Sequence, residues 1–220
     1  MFAALTGVRA RLDLSVVTTP KSRHYSFLMF AWGLIADVDI MSEFLRWMGE
    51  TRFFLSAVYL ILSKQIYHGR LSLLLATEQN TGVDEMPSLS NPVPVGDEER
   101  CMAGLDWKVI EGSFVLVWVV QSSHASSSMH SGPGVQLSDG IFTVYVVRKA
   151  NRWELFSLLL SLDSGEFIQH RCVETYKVRA YRLEPESDQP GIYSMDGEVI
   201  DYGPMQAVMK QGAATVLKVS

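Results

Sequence analysis

Two aspartates stand two residues apart in Ala36-Asp37-Val38-Asp39. In an extended segment the side chains at i and i+2 share a face, so this spacing predicts two carboxylates able to flank one cation. The competing reading is structural, with Asp39 capping a helix that follows it. Two arginines come next, Arg46 and Arg52, near Glu43 and Glu50. Cations so placed suit phosphoryl chemistry, in which negative charge develops on oxygen; equally, they pair with those glutamates in solvent. On one straight helix, residues six apart point about 120° away from each other, so convergence requires a bend near Gly49. A third acidic group is Asp196-Gly197-Glu198. Its carboxylates suit Mg²⁺ held through water, while Asp-Gly is also a strong hairpin signal.

Other reactive residue types lead nowhere. His124 and His130 lie in a serine-rich stretch with no third ligand or orienting acid nearby in sequence, and they read as part of a mobile loop between strands. Cys101 and Cys172 have neither metal-type spacing nor a disulfide framework, which predicts a reduced, cytosolic setting. The formal charge of −5 leaves no cationic excess to neutralise phosphates, so nucleic acid is not an expected partner.

The elements that must position these groups are mostly strands. With 220 residues, 48% of them hydrophobic and 20% charged, the chain can bury a substantial core. Leu12, Leu14 and Val16 alternate with Asp13, Ser15 and Val17, the period-2 signature of a half-buried strand. His24 to Ile35 is apolar on both faces and predicts a covered central strand. A helical hairpin is expected over residues 41–68: Ser42 to Trp47 first, a break at Gly49, then a helix from Thr51 to about Tyr67, apolar around most of its circumference. Residues 78–106 are acidic and proline-containing, as expected of a disordered insertion. Strands resume at Ser113–Val120 and Ile141–Val147. Asn151 and Glu154 form a variant capping box for a helix that buries Leu155, Leu158, Leu159 and Leu162. Further strands are expected at Val173–Leu183, Gly191–Ile200, Pro204–Met209 and Ala213–Val219.

The pattern predicts one mostly β (α+β) domain over residues 1–220, an antiparallel β-sandwich carrying a helical hairpin and one further helix. The longest apolar run, Phe27 to Ala36, is far short of the roughly 20 residues a spanning helix needs. Arg9 and Arg11 interrupt anything like a signal peptide.

Three stretches, in order, carry a resemblance. They are Trp32-Gly33-Leu34-Ile35-Ala36-Asp37-Val38-Asp39 with Glu43, Arg46, Gly49, Glu50, Arg52 and Phe53; Tyr67-His68-Gly69-Arg70-Leu71; and Arg182-Leu183-Glu184-Pro185 with Asp196-Gly197-Glu198. Together they resemble the C-terminal domain of the sphingosine kinases, within the wider lipid-kinase family that includes ceramide kinases and bacterial diacylglycerol kinases. The similar stretches run from about Leu12 to Val219, apart from the acidic insertion.

The resemblance implies a two-domain enzyme that uses ATP and Mg²⁺ to phosphorylate sphingosine or a similar long-chain base, forming sphingosine 1-phosphate. The Gly-Gly-Asp-Gly segment carrying the family's catalytic base occurs nowhere in this sequence. The N-terminal α/β kinase domain is therefore expected to be absent, and the chain to be inactive alone. Asp39 is implied as the anchor for the substrate amine, by a charge-assisted hydrogen bond. Leu34, Ile35, Val38, Phe53, Ala57, Leu158, Leu159, Leu162 and Phe167 are implied to line an apolar tunnel inside the sandwich. Arg46, Arg52, Asp196, Gly197 and Glu198 are implied at the nucleotide cleft, with no direct metal ligand. Leu55, Val58 and Tyr59 are similar to a membrane-docking patch, implying peripheral attachment from the cytoplasm. Trp47 stands where the family has a basic residue, so attraction to anionic lipid is expected to be weaker. The alternatives are a non-catalytic lipid-binding or membrane-sensing module, or a truncated fragment.

Overall fold

The computed structural model describes residues 8–49, 51–63, 65–77, 89, 107–124, 129–186 and 190–218. Most of residues 78–106, expected to form an acidic insertion, lie outside the described residues, as do Cys101 and residues 125–128 beside the histidines.

Eleven strands form one antiparallel sheet. In chain order they are β1 (Val8–Thr18), β2 (Arg23–Ser26), β3 (Met29–Gly33), β4 (Tyr67–Leu75), β5 (Trp107–Phe114), β6 (Leu116–Val120), β7 (Phe142–Val147), β8 (Glu174–Pro185), β9 (Tyr193–Met195), β10 (Glu198–Ile200) and β11 (Met205–Lys218). The spatial order is β10-β9-β3-β6-β7-β8-β11-β1-β2, with β4 branching from β8 and carrying β5. The sheet curls until its far parts meet: Gln121, just after β6, donates through Nε2 to Ser15 Oγ and to Ser26 Oγ, both at 3.1 Å. Among the described residues, three α-helices, α1 (Leu34–Met41), α2 (Thr51–Ser63) and α3 (Arg152–Leu160), accompany two 3-10 segments, Ser42–Met48 and Glu166–Gln169.

Period-2 alternation sorts the strand residues into two cores. Phe30 and Trp32 of β3, Val117 and Val119 of β6, and Phe142, Val144 and Val146 of β7 face the inside of the curl with Tyr181 and Tyr193. Their neighbours Ala31, Leu116, Trp118, Val120, Tyr145 and Val147 face outward and pack under the helices. Both faces of β3, β6 and β7 are buried, which explains why these strands read as unbroken apolar runs.

The structure corrects several sequence expectations. The run from His24 to Ile35 is not one strand: β2 and β3 are separate, and the chain turns at Gly33 into α1. Gly33 has φ +82°, and a Cβ there would stand 2.5 Å from the Val115 carbonyl oxygen, so only glycine fits this corner. The helical region consequently starts at Leu34 rather than residue 41, its second part is 3-10, and α2 ends at Ser63 with Tyr67 already in β4. Val115 separates β5 from β6. The two last strands are one, β11.

The alternation in β1 is inverted relative to its chemistry. Asp13 and Ser15 are buried while Leu12 and Leu14 are half-buried. A bulge between Leu12 and Leu14 turns Asp13 inward, where its carboxylate accepts the backbone N–H groups of Gly140 and Gly212, both at 2.6 Å. Such charge-assisted bonds make the buried acid a fastener rather than a defect.

The capping box of α3 forms as expected. Asn151 Oδ1 accepts from the Glu154 N–H at 3.0 Å, and Glu154 Oε2 accepts from the Asn151 N–H at 2.8 Å.

Candidate functional site: an apolar cavity with an anchored carboxylate

The interior of the curled sheet is closed by aromatic packing, Phe30 lying 5.1 Å from Tyr193 and Trp32 5.5 Å from Phe114 between ring centroids. The apolar cavity is instead in the outer layer, between β3–β6 and the three helices, which corrects the expectation of a tunnel inside the sandwich. The sheet's inner face is filled by its own large side chains, and the mismatch is left where three short helices cover the outer face. The cavity holds about 270 Å³, just below the roughly 300–1,000 Å³ of most small-molecule sites. It is sized for one narrow chain.

Nine of the ten residues implied as lipid contacts do line it. Leu34, Ile35, Val38 and Asp39 come from α1, Phe53 and Ala57 from α2, and Leu158, Leu159 and Leu162 from α3 and the turn after it. Phe167 does not. It is buried behind the wall, 5.6 Å from Trp118 and 5.0 Å from Tyr145 between ring centroids, and serves the core. The lining also includes Met29, Phe54, Ile61, Trp118, Met129, Leu155 and Asp163. Ile61 and Leu155 follow the helical periodicity of neighbours already singled out; Met29 and Met129 carry no such signal.

Asp37 and Asp39 do not flank one cation, because the segment that holds them is helical. Asp37 is buried and accepts a hydrogen bond from the Tyr67 hydroxyl. Burial raises its pKa from 3.8 to about 6, against the lowering effect of that bond. Asp39 points to the cavity, and its Oδ2 accepts from Ser194 Oγ at 2.5 Å. Ser194 is completely buried in β9 and was invisible to motif reading. It sits two residues before Asp196, in the strand that pairs with β3 through Ala31.

Arg46 and Arg52 converge, and the bend is present. Gly49 adopts φ 64° after the 3-10 segment, and both arginines reach Glu43. Arg46 makes two contacts, Nε–Oε1 at 3.1 Å and Nη2–Oε2 at 3.0 Å, and Arg52 Nη1 lies 3.3 Å from Oε1. Arg52 additionally stacks on Phe53, 4.4 Å from the ring centroid, and donates to the Ser42 carbonyl at 3.4 Å.

Asp196 and Gly197 form a two-residue hairpin turn, both at positive φ, between β9 and β10. The Asp196 carboxylate accepts from Ser26 Oγ at 2.7 Å and from the N–H groups of Phe27, Leu28 and Met29 at 3.1, 3.2 and 2.9 Å. Three of these donors fall on Oδ1 and one on Oδ2, so the carboxylate ties the hairpin to the chain between β2 and β3. Glu198 is exposed. No hydrogen bond or ion pair joins Arg46 or Arg52 to this hairpin among the described residues.

Leu55 and Tyr59 are exposed on α2, whereas Val58 is half-buried. Phe54 and Leu62 share their helix, and Phe44 and Trp47 of the preceding 3-10 segment are among the most exposed large apolar residues. His124 and His130 stack, ring centroids 4.7 Å apart; His124 Nδ1 lies 3.0 Å from Ser123 Oγ. Among the described residues, no group of three potential ligands could hold a metal, and no helix is long and apolar enough to cross a membrane.

Comparison with known proteins agrees with this architecture. The family described as the YegS C-terminal NAD kinase beta sandwich-like domain matches residues 98–218. Sphingosine kinase 1 of Arabidopsis thaliana is 30% identical over 97% of this chain and 50% of its own length. Sphingosine kinase 1 of Mus musculus is 34% identical over 85% of this chain and 50% of its own. The crystal structure of a diacylglycerol kinase from Bacillus anthracis str. Sterne superposes with TM-score 0.51 at 12% identity, covering 94% of this chain and 53% of that one. The chain thus spans about half the length of the curated relatives it matches. It belongs to the family of YegS C-terminal NAD kinase beta sandwich-like domains, and is homologous to sphingosine kinases over most of its length.

Proposed function

We propose that this chain is the lipid-binding half of an ATP-dependent long-chain-base kinase, one that forms sphingosine 1-phosphate when a nucleotide-binding half carrying the catalytic base is supplied. The observation that carries this is the cavity itself: a narrow apolar sleeve with the Asp39 carboxylate fixed in its wall by Ser194. A single-chain lipid with a protonated amine complements both features. Its tail leaves water for the apolar lining, and its amine meets a carboxylate already oriented.

Arg46 and Arg52, gathered by Glu43, are the cations this chain offers to ATP phosphates. ATP with its Mg²⁺ supplies the transferable phosphoryl group. Exchange of Glu43 for phosphate oxygens would release both arginines toward the nucleotide at once. Glu198 and Gly197 face solvent where the nucleotide half would close, and Asp196 holds their hairpin in place. The exposed apolar residues of α2 and the 3-10 segment favour reversible contact with a membrane surface, from which the lipid enters.

A second reading rests on the cavity being lined by residues of this chain: a non-catalytic module that binds long-chain bases without transferring phosphate. The two readings separate in one experiment. The chain is assayed alone and joined to the nucleotide-binding half of a relative, with sphingosine and a neutral long-chain alcohol. The kinase reading expects activity only in the joined protein, and Asp39→Asn lowering kcat/KM for sphingosine at least tenfold more than for the alcohol. Saturable sphingosine binding with no activity in any joined form favours the module; equal losses for both lipids remove the amine-anchor role.

A further inference from the structure

Among the described residues, two charged side chains line the cavity, Asp39 and Asp163, and both are acidic; no described lysine, arginine or histidine does. Asp39 is held from one side by Ser194. Asp163 stands on another element, the turn after α3, exposed and with no hydrogen bond or ion pair among the described residues. The turn is nonetheless rigid. Leu162 is buried beside it, the Gly165 N–H donates to the Leu162 carbonyl at 3.3 Å, and Gly165 fits so closely that a Cβ there would lie 2.9 Å from Pro133 and 3.0 Å from His130. An unpaired, exposed carboxylate is thereby carried on a closely packed turn that lines the apolar cavity. Low-dielectric walls focus its field into the opening.

We infer that Asp163 is a charge-selectivity residue of the cavity: it favours cationic single-chain amphiphiles and turns away anionic ones, fatty acids and phosphorylated long-chain bases included. This rests on the reading of the cavity as a lipid site. It reinforces the charge discrimination that Asp39 begins. A substrate amine is drawn inward past one carboxylate toward the other. A lipid that has gained a phosphate carries net negative charge and is repelled by both, so rebinding of product is disfavoured.

The test uses the purified chain and three probes that share a tail and differ in charge: tetradecylamine, tetradecanol and tetradecanoate. Wild-type protein is expected to bind the amine best and the carboxylate worst. Because Asp163 is exposed, Asp163→Asn is expected to weaken amine binding about two- to fivefold, the range of a solvent-exposed charge interaction. It should tighten tetradecanoate by a similar factor and leave tetradecanol unchanged. Asp163→Lys should extend both shifts, and all of them should shrink in high salt as screening shortens to about 3 Å at 1 M. Equal changes for all three probes, or none, would overturn the inference.

Asp39→Asn, titrated in parallel, separates this failure from failure of the cavity reading. Loss of amine binding in Asp39→Asn with no change in the amine-to-carboxylate preference of Asp163→Asn sinks the role of Asp163 alone. No binding of any probe by the wild-type chain sinks both.

Discussion

Ser194 Oγ donates to Asp39 Oδ2 at 2.5 Å, linking β9 of the sheet to α1 on its outer face. The bond leaves Oδ1 of Asp39 as the oxygen free to meet a ligand, and it fixes the carboxylate before any ligand arrives. Preorganisation of this kind raises affinity by removing the cost of ordering the anchor. Ser194→Ala is therefore expected to weaken binding of a long-chain amine about tenfold, the scale of one hydrogen bond to a charged group. Binding of the matching alcohol should change little. Calorimetric titration of both lipids checks this, and an equal loss for both would assign Ser194 to packing.

Asp37 contributes a pH dependence of defined sign. Its native pKa of about 6 lies above the ordinary 3.8, so the folded state binds the proton more tightly than the unfolded chain. The stability this provides is fully present below about pH 4 and is lost as the pH rises through about 6. The shift corresponds to roughly 3 kcal/mol at most. Asp37→Asn, which keeps an acceptor for Tyr67, should raise Tm above pH 7 and flatten its fall between pH 4 and 6. A melting profile of unchanged shape would contradict the assignment.

The two arginines on Glu43 differ in burial, the Arg52 side chain being 15% exposed and that of Arg46 72%. Arg52 also packs on Phe53, which lines the cavity. Arg52→Ala is expected to cost about 1–2 kcal/mol through lost packing and hydrogen bonds. Arg46→Ala should cost well under 1 kcal/mol, as surface ion pairs do. Chemical denaturation distinguishes them; equal effects would mean that the shared glutamate, not burial, sets their contributions.

Gly33 makes the corner that puts Asp39 on a helix. Gly33→Ala meets both the positive φ and the Val115 carbonyl oxygen, so a loss of about 2–4 kcal/mol is expected. A variant as stable as the parent would show that the corner relaxes freely.

Much of the fold was legible because both faces of the central strands carry their own apolar set, as in Phe30 against Ala31 or Val144 against Tyr145. Boundaries failed where a backbone event is governed by distant residues. Nothing local in Trp32-Gly33-Leu34 announces a helix; the turn depends on Val115, which is remote in sequence. In β1 the binary pattern misleads, because Asp13 is buried by satisfying two backbone donors rather than by being apolar. For the site, nine of the ten positions named as lipid contacts lie around one cavity, but the i, i+2 argument for Asp37 and Asp39 presumes an extended segment and does not survive the helix. Ser194 and Asp163 have no sequence signature. A buried serine between tyrosine and methionine, or an aspartate in a turn, acquires meaning only once the cavity is in view.

Asp39 is the proposed partner of a lipid amine inside the apolar cavity. Titration of sphingosine into the wild-type chain and into Asp39→Asn tests it most directly. Saturable one-to-one binding by the wild type, weakened at least tenfold in the variant at unchanged Tm, is the predicted result. Equal affinity for the two proteins, or no saturable binding by folded wild-type chain, would contradict it.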